Sequence, residues 1–294
     1  MRPLSLIERI AVRPLRCGNA IAVGLILLLF AVPAFATDYS STGSTTEHRV
    51  QTRVGAEFSK HWKCGVQLSI GEELRFDLMD NVAGTSSKGV AIDTAYGAAF
   101  NKSYTTLSLA YTPIEYVKLD GGYTLRILGR KGWSNSNEFI RHRVFFGLTG
   151  SYKTQYAKLY LRERFLLEMR TDSVNTDEKS AYAWLLRSRL GADIYVPGKP
   201  VKPYIWAELE NTLNAPEFQQ NNGQQFITNV RLQAGVKWRV SKLSSVNFYY
   251  RFTYGYDRDV NVNKSYYSGK DLKLRLVEQK VFQHAIGVEY SLHW

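Results

Sequence analysis

Cysteine is nearly missing from this chain. Of 294 residues only Cys17 and Cys64 carry a thiol, and Cys17 precedes an apolar run close to the N-terminus. Residues 37–294 hold one cysteine, which excludes an intrachain disulfide framework there. Parity places Cys64 on one face with Trp62, Val66 and Leu68, as a small apolar group facing lipid. Histidine is scarce too, with five in all. Neither His-Glu-x-x-His nor Gly-x-Ser-x-Gly occurs, so the two commonest hydrolase signatures are absent. Beyond residue 36 no apolar stretch reaches the ~20 residues that a spanning helix needs. Proline numbers eight, and Pro113, Pro197, Pro200 and Pro203 fall at turns or strand ends, where a missing donor costs no ladder bond. Acid is the scarcer sign of charge: 26 Asp and Glu face 38 Lys and Arg, a net charge of +12. The basic residues recur singly along strands rather than in a tail or on one helix, which argues against nucleic acid as the partner.

What is present begins with a leader. Arg2, Arg9, Arg13 and Arg16 make a basic opening against Glu8 alone. Residues 21–30 (IAVGLILLLF) form a short apolar run, and Ala34-Phe35-Ala36 gives a small-x-small cleavage signal. The order predicts a secretory signal peptide over residues 1–36, cut after Ala36, and a mature domain over 37–294.

Within that domain apolar and polar residues alternate with period two. Over 62–78 the even positions carry Trp62, Val66, Leu68, Ile70, Leu74 and Phe76, while the odd positions carry Gln67, Glu73, Arg75 and Asp77. Such alternation is the signal of a two-faced strand. Strands are expected at 48–58, 62–78, 90–100, 104–111, 116–128, 139–152, 156–171, 181–196, 203–213, 226–240, 246–256 and 272–294. Each is near or above the 9–11 residues that cross a membrane when tilted. Short connections (112–115, 153–155, 197–202, 241–245) alternate with long polar ones (129–138, 172–180, 214–225, 257–271). The pattern predicts an all-β fold: a single transmembrane, up-and-down antiparallel barrel of about 12 strands, of the bacterial outer-membrane type. The segment 90–100 is the weakest strand, because Ala91, Ala95, Ala98 and Ala99 blur its faces. Counted in, it gives twelve strands with both ends of the chain periplasmic. Read as a loop, it gives eleven and sends the N-terminus outside. Even counts are the rule for single-chain bacterial barrels, so twelve is taken.

The last strand carries Ile286, Val288, Tyr290, Leu292 and Trp294 on one face. A terminal aromatic on such a strand predicts recognition by the barrel-insertion machinery, with outer-membrane lipid as the surrounding partner. Nineteen Tyr, fourteen Phe and six Trp suit interfacial girdles.

The strand motifs come in a definite order. They are Glu-Glu-Leu-Arg-Phe at 72–76, Gly-Gly-Tyr-Thr-Leu-Arg at 121–126, Arg-His-Arg-Val at 141–144 and Leu-Tyr-Leu-Arg-Glu-Arg-Phe at 159–165. Leu-Arg-Ser-Arg-Leu-Gly at 186–191, Ile-Trp-Ala-Glu-Leu-Glu at 205–210 and Arg-Leu-Gln-Ala-Gly-Val at 231–236 follow. In this order the chain resembles the uncharacterised outer-membrane barrel family called domain of unknown function 2490. The resemblance implies a fold and a compartment. It brings no activity, cofactor or catalytic residue.

The candidate site is the interior. Opposite the apolar faces lie Arg75, Arg126, Arg141, Arg143, Arg162, Arg164, Arg187, Arg189, Arg231 and Arg251, with Glu208 and Glu210 among the interleaved acids. Arginine predominates over lysine, and its planar fork suits bidentate carboxylate contacts. Two readings stay open. Arginine and acid can pair across strands and fill a closed lumen, in a structural or accessory barrel of an envelope complex. Alternatively the excess arginine lines a narrow passage or binding barrel for small anionic solutes. Arg141/Arg143, Arg162/Arg164 and Arg187/Arg189 weigh most for the passage, since no acid stands at the next position of the same strand face. Tyr204, Trp206 and Tyr249 also point inward, where they either narrow the lumen or simply pack it. A membrane-embedded hydrolase is the third reading. It lacks a visible constellation: His48, His142 and His284 fall on the outer face, His61 sits at a turn, and His293 points inward at the periplasmic end. No metal or cofactor spacing is present, and the chain reads as a non-enzyme.

Overall fold

Alternating side chains commit a strand to two unlike faces, and closing the sheet lets every strand hide its polar face at once. The computed structural model describes residues 43–86, 89–129, 140–170, 182–215, 226–262 and 274–294. The expected leader and most of the long loops lie outside the described residues. Twelve strands and no helix make up what is described: β1 (Gly43–His61), β2 (Val66–Thr85), β3 (Ala91–Tyr96), β4 (Ala99–Ile114), β5 (Val117–Leu128) and β6 (Ile140–Lys153), then β7 (Ala157–Arg170), β8 (Tyr182–Ile194), β9 (Val201–Thr212), β10 (Ile227–Arg239), β11 (Ser244–Val262) and β12 (Leu274–His293).

Neighbours in sequence pair antiparallel from β4 to β12. Strand β1 closes the ring, antiparallel to β2 and parallel to β12. The wall therefore holds eleven strands, and β3 stands outside it. This corrects the expected twelve-strand wall with wholly antiparallel pairing. The physical reason lies in β2, whose lower part (Val66 to Asp77) pairs with β4 while its upper part (Asp80 to Thr85) pairs with β3. The expected strand at 90–100 is thus divided: six of its residues form β3, and its last two open β4. An odd wall puts one parallel pair at the seam. The Gly43 end of β1 then lies beside Val277, at the opposite end of the barrel from Trp294, instead of at the same end as expected.

Short turns gather at the Trp294 end. Thr154 Oγ1 accepts from the N–H groups of Tyr156 (3.2 Å) and Ala157 (3.0 Å), and Ser241 Oγ accepts from Leu243 (3.1 Å) and Ser244 (3.0 Å). Such hydroxyl-to-backbone bonds fix tight turns without help from the rest of the chain. Cys64 is exposed in the β1–β2 turn, not on a strand face as expected.

The outer face is apolar, with Phe146, Leu190, Ile205 and Ile286 exposed. The inner face is charged and buried, with Arg53, Glu208, Gln51 and Asp80 among the most enclosed side chains. One irregularity re-aims part of β2. The register with β1 slips between Val50 and Gln51, so Leu78 and Met79 both face outward and Asp77 and Asp80 both face inward.

Candidate functional site

The ladder stacks inward residues into rows that run around the wall. Arg162, Arg189, Glu208 and Arg231 form one row across β7, β8, β9 and β10. Glu208 sits inside it, 2% exposed. Its Oε2 accepts from Arg162 Nη2 at 3.3 Å and from Arg189 Nη2 at 2.6 Å, and its Oε1 accepts from Arg231 Nη1 at 2.9 Å. Beside it, Arg164, Arg187, Glu210 and Asn229 form the next row. Glu210 accepts from Arg187, from Arg231 Nη2 at 3.1 Å and from Asn229 Nδ2 at 2.7 Å. Four arginines thus meet two carboxylates.

A second cluster forms around Glu168 on β7. Arg126 Nη1 lies 2.5 Å from its Oε2, Arg141 Nη1 lies 3.1 Å from its Oε1, and Arg143 donates to Oε2 as well. Three guanidinium groups meet one buried carboxylate. The arginine pairs that sequence reading left without a neighbouring acid obtain one from another strand. Parity along one strand is blind to that partner. Arg164 pairs with Asp120, two strands away, across Gly147. A Cβ on Gly147 would come within 2.5 Å of Asp120 Oδ1, so the missing side chain is what lets the pair form.

The remaining candidates lie near the seam. Arg75 Nε donates to Glu73 at 2.5 Å, and its guanidinium lies 4.1 Å from the Tyr104 ring centre. Arg251 Nε donates to Gln233 at 2.6 Å, and its guanidinium lies about equally far from the Trp206 and Tyr249 rings. Tyr204, Trp206 and Tyr249 pack as one buried interior cluster with Tyr160 beside it. Between the Arg164–Arg187 row and Glu168, Phe145, Leu166 and Leu185 form an apolar interior patch. Toward the Gly43 end of β1 the sign reverses, and Arg49 is ringed by Glu47, Asp77 and Asp80. Asp120 and Arg53, like Arg49, Glu47 and Asp80, are not among the candidates that the sequence offers. Asp120 carries no local mark of its role, whereas Arg53 lies on the charged face of an alternating strand and was open to recognition.

At the rim, outside the strands' shared interior, Lys153 Nζ lies 2.8 Å from Glu115 and holds its carboxyl below the ordinary range. Among the described residues no group of three or more His, Cys, Asp or Glu is arranged to hold a metal.

Among solved structures, a NanC porin in a rhombohedral crystal form is similar to this chain, with 8% identity and a TM-score of 0.37 over 69% of this chain and 86% of that one. No curated protein matches it significantly. The model of the family described as protein of unknown function (DUF2490) matches residues 66–264, and the chain belongs to that family.

Proposed function

We propose that this chain is an outer-membrane β-barrel, exported behind a leader cleaved after Ala36, whose arginine-rich interior binds and passes small anionic solutes. One observation carries the reading: among the described residues four guanidinium groups share two carboxylates at Glu208 and Glu210, and Arg126 and Arg143 both rest on Glu168. Positive charge held in excess inside a wall is how pores favour anions. The exposed apolar outer face supports a lipid surround, and the strand ending at Trp294 supports delivery by barrel-insertion machinery. Eleven strands enclose a narrow interior, which restricts the solute to small ions.

A second reading, a closed structural barrel, is favoured by one feature. Glu168 and Glu208 are 4% and 2% exposed, as in a packed core. Planar-bilayer recording separates the two. Purified protein in a salt gradient gives a reversal potential on the anion side, and Arg162→Ala with Arg187→Ala moves it toward zero. Absence of any current through purified, folded protein removes passage and leaves the closed barrel.

A further inference from the structure

Lys102 is an interior cation without an acid. The β2–β4 register slips beside it: Arg75 lies opposite Lys102 and Phe76 lies opposite Phe100, so Asn101 is the extra residue of a bulge. Asn101 points inward, where its Nδ2 donates to Asp77 Oδ2 at 2.6 Å. A bulge of this kind turns two successive residues to one side, and here it turns Lys102 inward with Asn101. Lys102 falls between the expected strands 90–100 and 104–111, so alternation could not give it a face. Among the described residues Nζ makes no ion pair and no hydrogen bond. The charges that act most on Lys102 are Arg126, Arg75 and Arg49, all of its own sign. The acids nearby are engaged. Glu73 accepts from Arg75 and from the Tyr249 hydroxyl, Glu168 holds Arg126 and Arg143, and Asp77 holds Asn101, Gln51 and Arg49.

Lys102 shares its place with Tyr104, two residues on. The Arg75 guanidinium lies 4.1 Å from the Tyr104 ring centre and the Arg126 guanidinium 5.3 Å from it. Across the ladders Tyr104 stands opposite Glu73 on β2 and Arg126 on β5. Four cations act on its hydroxyl: Arg126, Arg75, Lys102 and Arg143. These groups border open space. The Arg75 and Glu73 side chains keep 17% and 27% of their surface accessible, and Lys102 and Tyr104 are half-buried. Lys102 Nζ and both Nη atoms of Arg75 retain solvent-accessible surface, unlike Arg53 Nε and Nη1, which are sealed. Elsewhere the interior repeats one arrangement, a glutamate carboxylate set among two or more guanidinium groups, as at Glu168, Glu208 and Glu210. Between Lys102 and Arg75 that carboxylate is missing. Like charges directly opposite one another on a sheet are destabilising, so the Arg75–Lys102 pair is costly as it stands.

We propose that Lys102, Arg75 and the Tyr104 hydroxyl bind the carboxylate of a small solute, with Arg126 beside them adding positive charge. The solute's carboxylate takes the position that a glutamate takes in the other clusters. The two free Nη atoms of Arg75 present a planar fork that matches two carboxylate oxygens, and the Lys102 ammonium and the phenol supply donors from the neighbouring strand. Lys102 is the residue that selects for the anion, because it is the cation of the group with no carboxylate of its own. The site rests on the anion reading of the interior given above, but holding a carboxylate and conducting ions are separate measurements.

The test uses purified full barrel in neutral detergent, with trifluoroacetate as the probe and sodium chloride holding the ionic strength constant. Folded barrel speeds the transverse relaxation of the fluorine signal, and excess acetate reverses the effect. Lys102→Met keeps the length of the side chain, drops the charge, and weakens binding about tenfold. If Lys102→Met fails to fold, Lys102→Gln gives the same reading with a polar end. Lys242→Gln removes an equal charge from the exposed β10–β11 turn and leaves binding as it was. A fluorine signal indifferent to folded barrel overturns the site. So does binding that survives the Lys102 substitutions, because the anion then sits elsewhere. Equal losses in the Lys102 and Lys242 variants overturn it too, since diffuse charge then accounts for the binding. A barrel that binds trifluoroacetate through Lys102 but conducts nothing sinks the passage reading alone; an anion-selective barrel that leaves the probe unchanged sinks this site alone.

Discussion

The hydroxyl of Ser59 lies 2.6 Å from Nδ1 of His293, joining the first wall strand to the last. Ser59 is fully enclosed, and the His61 ring stands edge-on to the His293 ring with centroids 5.9 Å apart. The pair sits where the parallel seam ends, beside the backbone bonds from His61 N–H to the Trp294 carbonyl (3.2 Å) and from Trp294 N–H to the Ser59 carbonyl (3.0 Å). Parallel ladders are slightly weaker per residue than antiparallel ones, so a side-chain tie at the seam has a clear mechanical use. Its enclosure also suits a clamp better than a nucleophile. His293→Ala leaves the buried Ser59 hydroxyl only the longer 3.5 Å contact with His61 Nε2 and is expected to cost about 1–3 kcal/mol. Ser59→Ala in the same background then adds little, because the interaction is already gone. Urea midpoints of the two single variants and the double variant check this; fully additive losses would refute the tie.

Glu168 concentrates more of the interior's balance than any single arginine around it. Glu168→Gln strands the charges of Arg126 and Arg143 in a buried setting and is expected to cost about 3–5 kcal/mol. Glu115→Gln is the control, since its partner Lys153 is an exposed rim residue and exposed pairs contribute little. Equal unfolding midpoints for the two variants would show that the cluster around Glu168 is not a stabilising unit.

The legible part of this fold was the part set by local contrast. In β10, Leu232, Val236 and Trp238 are exposed while Gln233 is buried, as period-two reading requires. The fate of 90–100 was illegible because four alanines give neither face a preference, and because β2 decides which neighbour pairs along its upper edge. The parallel seam was illegible for a related reason, since closure depends on register summed around the whole wall. In the site, alternation fixed which face each arginine takes but not its height along the barrel axis. Glu208 therefore could be placed on the inner face, yet its three arginines from β7, β8 and β10 could not be assigned. Arg164 and Asp120 are 44 residues apart and meet only because Gly147 stands between them.

Inward tyrosines lie over glycines of the next strand, and Gly287 beneath Tyr249 is the tightest case. Gly287→Ala puts a methyl group 2.1 Å from Tyr249 Cζ. Tyr249 must swing away, breaking its contact with Glu73 and disturbing the packing on Trp206. Overpacking of this kind costs about 1–3 kcal/mol. Pairing the change with Tyr249→Leu, which removes the ring, is expected to restore most of the loss. Thermal melts of the single and paired variants read it out, and a paired variant no better than Gly287→Ala would show that the ring is not the obstacle.

Proline scanning separates wall strands from the strand outside the wall. Thr94 lies in β3, which pairs on one side only, with β2. Leu107 lies in β4, paired to β2 on one side and β5 on the other, and its side chain is 51% exposed on the outer face. Proline removes a ladder donor, and inside a doubly paired strand the damage reaches about 3 kcal/mol or more, whereas an edge strand tolerates it. Neither position fills the interior, so side-chain packing does not confuse the comparison. Thr94→Pro is expected to leave heat-modifiable gel migration and the far-ultraviolet spectrum of the barrel unchanged. Leu107→Pro is expected to abolish the folded band. If Thr94→Pro also prevents assembly, β3 is part of the closing wall and the eleven-strand ring is wrong.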